Sequence, residues 1–214
     1  MKISCMKGKL MQGISNVSKA VSTKTTHPIL SCIFIEAENG NIKLTANDME
    51  IGIESYVEGT VIEEGKVAIE AKLLSDIVRK LPDSEIHMET NEDFKTTIKC
   101  EKSLFTIAGK SGEDFSSLPV VEKSKFITIS QFTLREIINQ TIFSISDSEY
   151  NNVMTGELFE VSNNRLRVVA IDGHRIAIRN VELKNESEDV KVIVPGKALS
   201  YISKIVSGGV DDDV

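Results

Sequence analysis

Apolar and polar residues along the chain repeat with a period that switches between two and about 3.6. Residues 2–6 follow the strand period. Over residues 7–22 the period is helical: Leu10, Ile14, Val17 and Val21, with Ala20, form one face, and Lys9, Gln12, Asn16 and Lys19 the other. A polar loop leads to Pro28, which pushes His27 to an extended conformation. Apolar runs at 30–37, 41–46 and 51–61 predict strands, the first two joined by a hairpin at Glu38-Asn39-Gly40-Asn41. Gly65 marks a turn into a strand at 66–69. A second helix is predicted over 71–81, with Leu73, Leu74, Ile77, Val78 and Leu81 inward and Lys72, Arg79 and Lys80 outward, and Pro82 stops it. Strands at 85–89, 94–100 and 103–108 follow. In the loop 109–119, Phe115 and Leu118 are expected to pack as anchors.

The order then begins again. A strand at 125–130 precedes a helical stripe of Leu134, Ile137, Ile138 and Ile142. Residues 143–153 stand for the polar loop around Lys24, and 155–161 for the strand after it. Over 168–178, two apolar runs flank Asp172-Gly173-His174-Arg175, which reads as two antiparallel strands joined by a tight turn. A strand at 190–194 and a helix at 196–206 follow, Leu199, Ile202 and Val206 matching Leu74, Ile77 and Leu81. Residues 39–48 line up with 163–172: Ile42 meets Leu166, Lys43 meets Arg167, Ala46 meets Ala170 and Asp48 meets Asp172. A repeat this long is a duplicated domain rather than a solenoid unit. The first copy runs on through further strands and a linking loop, and the second does not. A sheet without its last strands leaves backbone groups unpaired, so the chain is expected to be a piece of a longer protein.

With 41% apolar and 27% charged residues in 214, the composition is that of an ordinary globular protein. A net charge of −7 argues against a generally basic nucleic-acid binder. It leaves room for cations gathered on one face, because the local field outweighs the sum. Lys9, Lys19, Lys72, Arg79, Lys80, Arg135, Lys197 and Lys204 fall on the outward sides of the four helices. If those sides converge, they line a surface for a phosphate backbone without reading sequence. No secretory signal or membrane span is evident, so the cytoplasm is the expected compartment. Cys5, Cys32 and Cys100 are scattered and odd in number, and are expected as buried thiols rather than disulfides or zinc ligands. The phosphate-cradling, nucleophile-elbow and metalloprotease motifs are missing, and neither cofactor nor metal is expected. Asp172 and His174 are half of a hydrolytic constellation, an orienting carboxylate and a base, for which no nucleophile is placed by spacing. The competing reading makes Asp172 a turn former, with Gly173 supplying a positive φ. His174 and Arg175 answer to Glu50 and Ile51 in the first copy, so the fold does not demand them. Beside Ile171 and Ile176 they suit capture of an extended peptide.

Five segments carry a family resemblance: Lys24 with His27-Pro28-Ile29-Leu30; Leu44-Thr45-Ala46-Asn47-Asp48-Met49-Glu50; Thr155-Gly156 with Leu158-Phe159-Glu160; Val169-Ala170-Ile171-Asp172-Gly173-His174-Arg175; and Val192-Ile193-Val194-Pro195. Together they closely resemble the bacterial sliding-clamp family, the beta subunit of DNA polymerase III, over nearly the whole chain. The resemblance implies an α+β, DNA-clamp fold of duplicated domains, each with two helices packed on antiparallel sheets. Residues 1–122 would be clamp domain I and 125–214 a C-terminally truncated domain II, with the third domain absent. It further implies a non-catalytic function: two chains, head to tail, encircle double-stranded DNA and give the replicative DNA polymerase processivity. The implied partners are duplex DNA, the replicative polymerase, the clamp loader and other clamp-binding peptides, with no membrane. Carried over residue by residue, DNA contacts fall on Lys24, Lys72, Ser148, Asn152 and Val153. The partner-peptide pocket falls on Met154, Ile171, Gly173, His174, Arg175 and Ile176. The dimer face falls on Leu73, Ile77, Lys102 and Leu104, where Leu73 and Leu104 imply an apolar contact. A peptide-binding adaptor that does not encircle DNA is the alternative.

Overall fold

The chain divides into two compact units, Met1–Pro119 and Val120–Val214. The computed structural model describes residues 1–22, 25–113, 115, 118–119, 126–147, 153–184, 188–206 and 214.

In the first unit, β1 (Lys2–Met6) runs straight into α1 (Lys7–Val17). Leu10, Ile14 and Val17 are fully buried, as their spacing predicts. The helix ends earlier than the apolar stripe. Ser18 donates to the carbonyl of Ile14 at 2.6 Å, and the chain tightens into a 3-10 turn, Ser18–Ala20. Val21 packs on the core from outside the helix. The strand expected at 30–37 also begins late. Pro28 opens a 3-10 turn, Pro28–Ser31, and β2 (Cys32–Glu38) follows it. β2 pairs with β3 (Asn41–Asn47) through the Asn39-Gly40 hairpin, both turn residues having positive φ.

The predicted strand 51–61 is two strands, β4 (Gly52–Val57) and β5 (Gly59–Glu63), in different sheets. Gly59 makes the crossing possible, since a Cβ there would lie 2.4 Å from the Ser4 carbonyl oxygen. After β6 (Gly65–Glu70) comes α2 (Ala71–Lys80), then β7 (Glu85–Thr90), β8 (Lys95–Cys100) and β9 (Ser103–Ala108). The two antiparallel sheets are ordered β5-β1-β7-β8-β9 and β4-β3-β2-β6. Their apolar faces and the helices share one core, which includes Cys5 and Cys100. All three cysteines are buried and free. Burial, with Glu85 adding to it, pushes the Cys5 thiol up to about 11, so it is protonated at neutral pH.

Of the segment 109–119, Lys110 and Phe115 lie against the second sheet, Phe115 on the face away from the main core. Lys110 and Ala68 exchange backbone hydrogen bonds of 2.8 and 3.0 Å. Phe115 stacks on Phe34 with ring centroids 5.0 Å apart, and Leu118 packs against Gly52. Both anchors therefore do what the sequence predicts of them.

In the second unit, α3 (Gln131–Thr141) is capped by Ser130, whose hydroxyl accepts from Thr133 N. β10 (Gly156–Ser162), β11 (Arg165–Ile171), β12 (Ile176–Glu182), β13 (Val190–Pro195) and α4 (Gly196–Ile205) complete it. The sheet order, β12-β11-β10-β13, repeats that of β4-β3-β2-β6. Leu166, Val168, Ile138 and Leu199 fill its core. The duplication extends to charges. Glu36 is bridged by Lys43 at 2.7 Å and Lys66 at 3.1 Å, and Glu160 by Arg167 at 3.9 Å and Lys191 at 3.4 Å. Of the strand predicted at 125–130, the described residues 126–129 form none, and Ser130 makes only an isolated bridge. In the first unit β1 lies between β5 and β7. Here, among the described residues, Ile129 pairs with Val214 alone, through bonds of 3.1 and 2.8 Å. No helix of the described residues is long and apolar enough to cross a membrane.

Candidate functional site

The β11–β12 turn is built by Asp172. Its Oδ1 accepts from the backbone nitrogens of His174 at 2.9 Å and Arg175 at 3.0 Å, and its Oδ2 accepts from Arg175 Nε at 2.7 Å. The bonds from His174 N and then from the Arg175 side chain hold the Asp172 carboxyl below its ordinary range. Gly173 has φ +89°. The first unit makes the same turn: Asp48 Oδ1 accepts from Glu50 N at 3.0 Å and Ile51 N at 2.8 Å, and Met49 takes φ +77°. The positive φ at Gly173 thus belongs to the duplicated fold, whereas the His174 and Arg175 side chains do not. The hydrolytic reading loses its geometry. Asp172 is engaged by the turn and by Arg175, and no hydrogen bond joins it to the His174 ring among the described residues. The described residues also bring no cluster of metal-binding side chains together.

Above this turn, Ile171 and Ile176 face each other across the hairpin, Ile176 being 61% exposed. Directly opposed residues share a sheet face, so Ile193, Leu158, Val169 and Ile178 form a row across all four strands. In the first unit the equivalent face is the one covered by Phe115. The hairpin thereby gathers Ile171, Gly173, His174, Arg175 and Ile176. Met154 stands on a separate segment, its carbonyl accepting from Ser146 N at 2.8 Å.

The other surfaces are more dispersed. Lys24, Ser148 and Asn152 lie outside the described residues. Lys72 is exposed on α2, and Val153 is exposed in the turn before β10. Of the helix cations, Lys9 is bound to Glu58 at 2.9 Å and Arg79 to Asp76 at 2.6 Å, so neither presents a free charge. Lys72, Lys80, Arg135 and Lys204 are exposed, with no carboxylate within salt-bridge distance among the described residues. Leu73, predicted to face inward, is 39% exposed, and Leu104 is 65% exposed on the edge strand β9. Lys102 is exposed just before it. Ile77 differs: it is buried in the unit's own core and offers little to a partner. Phe105, beside Leu104, is exposed and went unread in the sequence.

Two further residues were missed. Phe143, in the 3-10 turn Ile142–Ser144, places its ring 5.7 Å from the Arg175 guanidinium carbon. Glu157 is fully buried, with both carboxyl oxygens 3.0 Å from Thr141 Oγ1. Burial pushes its carboxyl from the ordinary 4.5 up to about 7, against a smaller opposing effect of the Thr141 bond. Strand parity could have exposed it. Phe159 and Val161 point inward, so Glu157 must too, and its counterpart in the repeat is the buried Ile33.

Residues 1–119 match the family model of the DNA polymerase III beta subunit, N-terminal domain, and residues 128–213 that of its central domain. The chain is 37% identical to the beta sliding clamp of Halalkalibacterium halodurans, covering 92% of this chain and 54% of that one. It is 34% identical to the beta sliding clamp of Bacillus subtilis, covering 96% and 57%. Among solved structures, a putative DNA polymerase III beta subunit from Eubacterium rectale superposes with a TM-score of 0.97 at 56% identity, over 100% of this chain and 59% of that one. The Bacillus subtilis DNA polymerase sliding clamp gives 0.93 at 32% identity, over 99% and 58%. The chain thus spans little more than half the length of the relatives it matches. With two successive domains matched and the repeat seen in sequence, sheet order and turn geometry, the chain belongs to the DNA polymerase III beta subunit, or beta sliding clamp, family.

Proposed function

We propose that the chain supplies the first two domains, residues 1–122 and 125–214, of a head-to-tail homodimeric ring. That ring encircles double-stranded DNA in the cytoplasm and keeps the replicative polymerase on its template. The observation that carries the reading is the duplicated pair of two-helix units in which Lys72, Lys80, Arg135 and Lys204 stay exposed and unpaired among the described residues of an acidic chain. Unpaired cations on helices attract a phosphate backbone without reading bases. Lys24, Ser148, Asn152 and Val153 would add to that surface. Leu73 and Leu104, with Lys102 at the rim and Ile77 behind, would form the dimer face, and Phe105 enlarges it. An exposed edge strand such as β9 offers unpaired backbone groups as well as apolar side chains. Met154, Ile171, Gly173, His174, Arg175 and Ile176 would dock peptides of the polymerase, the clamp loader and other clamp partners.

The test uses this chain and a fluorescent duplex at a series of low salt concentrations. Each phosphate that a cation no longer neutralises lowers the slope of log affinity against log salt by about 0.9. Lys72→Glu combined with Arg135→Glu is expected to flatten the slope by the equivalent of about two phosphates. An unchanged slope would refute the assignment of these helices to DNA.

A further inference from the structure

The duplicated fold does not require an aromatic residue at position 143. Its counterpart in the first unit is Lys19. The neighbours Ile142 and Ser144 turn inward, Ser144 being buried and Ile142 packed on the core, and this fixes the 3-10 turn so that Phe143 points out. The residue is 57% exposed, yet it is not idle, because the Arg175 guanidinium carbon lies 5.7 Å from its ring centroid. Arg175 Nε donates to Asp172 Oδ2 at 2.7 Å. One nitrogen of the guanidinium is therefore held by a carboxylate, and the group lies over a ring. Its two terminal nitrogens have no partner among the described residues. The first unit has none of this, since Ile51 stands in place of Arg175.

A guanidinium lying over a ring keeps its terminal N–H groups free for bidentate bonding. Holding it in place before a partner arrives removes rotamer entropy that binding would otherwise cost. We infer that Phe143 is a positioning residue of the partner-peptide site, fixing Arg175 so that its terminal nitrogens meet a carbonyl or carboxylate of an extended peptide whose apolar side chain sits on Ile171 and Ile176. This rests on the docking role proposed above for the β11–β12 turn.

Two measurements separate the two ideas. The first is ¹⁵N relaxation of the Arg175 Nε–H group, without any partner. It is expected to be ordered in the unsubstituted chain and in Phe143→Tyr, and disordered in Phe143→Leu. Equal order in all three overturns the positioning role. The second uses random heptapeptides displayed on phage and selected on the unsubstituted chain, the enriched peptide then being synthesised and titrated. Arg175→Ala and Ile176→Asp are expected to abolish its binding. Phe143→Leu is expected to weaken it about two- to five-fold, Phe143→Tyr to restore it, and Phe143→Leu to add nothing in an Arg175→Ala background. Binding unaffected by Phe143→Leu while abolished in Arg175→Ala overturns the inference alone. Enriched peptides indifferent to Arg175→Ala and Ile176→Asp, or no enrichment, overturn the docking role itself.

Discussion

Glu157 makes the second unit less stable as pH rises, and Glu157→Gln removes that dependence. The carboxyl has no exposed surface, and its bonds are to Thr141 Oγ1, which also lies 2.8 Å from the Ile137 carbonyl. One hydroxyl proton cannot serve both acceptors, and a protonated Glu157 resolves the conflict by donating its own. The folded chain holds this proton up to about pH 7, whereas an exposed glutamate releases it near 4.5. Between those values the unfolded chain binds fewer protons than the folded one, so stability falls as pH rises. The contribution is complete below about pH 4.5 and lost on passing pH 7. At 1.36 kcal/mol per pH unit, the interval corresponds to about 3 kcal/mol. Glutamine keeps the size and hydrogen-bonding capacity but cannot ionise. Urea unfolding of both chains at pH 5, 6, 7 and 8, followed by hydrogen exchange in β10 and α3, reads the second unit directly. The stability of Glu157→Gln relative to the unsubstituted chain is expected to climb by about 2.5 kcal/mol across this range, because part of the interval lies below pH 5. Parallel curves for the two chains, or a climb with the opposite sign, would refute the assignment of a buried, neutral Glu157.

The duplicated turn carries a second test. Met49→Gly, which gives the first turn the residue the second already has, relieves a positive φ. It is expected to stabilise the first unit by up to about 1 kcal/mol in thermal unfolding. Phe115→Ala strips the stacked ring from Phe34. It is expected to cost about 3 kcal/mol and to raise proteolysis within 109–119, so an unchanged unfolding midpoint would count against that cover. Leu104→Asp puts a charge on the apolar edge of β9. If the proposed dimer face is right, it is expected to weaken self-association of the proposed ring at least tenfold by analytical ultracentrifugation, without lowering the stability of the unit.

Much of this was legible in the residues because the signals were local. The Asn39-Gly40 hairpin, the two Asp turns and the stripes of α1 and α2 depend on neighbours a few positions away. What was not legible depended on contacts distant in sequence. Nothing in the alternation of 51–61 marks the change of sheet at Glu58, which requires Gly59 to lie against the carbonyl of Ser4. Val21 keeps helical spacing with Val17, which concealed the end of α1. The breadth of the α2 stripe made Leu73 look buried, although its environment is set by what packs opposite. Glu157 escaped because a carboxylate is expected outside, even where strand parity turns it inward. The site was legible where the two copies could be compared: Asp48 with Asp172 revealed the shared turn, and Glu50 and Ile51 with His174 and Arg175 revealed the difference. The same comparison, Lys19 with Phe143, was available but concerned a residue that looked like ordinary surface.

The central proposal is that these two units belong to a ring held on DNA by topology rather than by tight contact. Replacing the corresponding part of the Bacillus subtilis beta sliding clamp with residues 1–214 of this chain gives a complete protein for the purpose. After loading onto a nicked circular plasmid, its lifetime on DNA is measured before and after the circle is cut once. The account predicts long retention on the circle and rapid loss from the linear form. Equal lifetimes on both would contradict it.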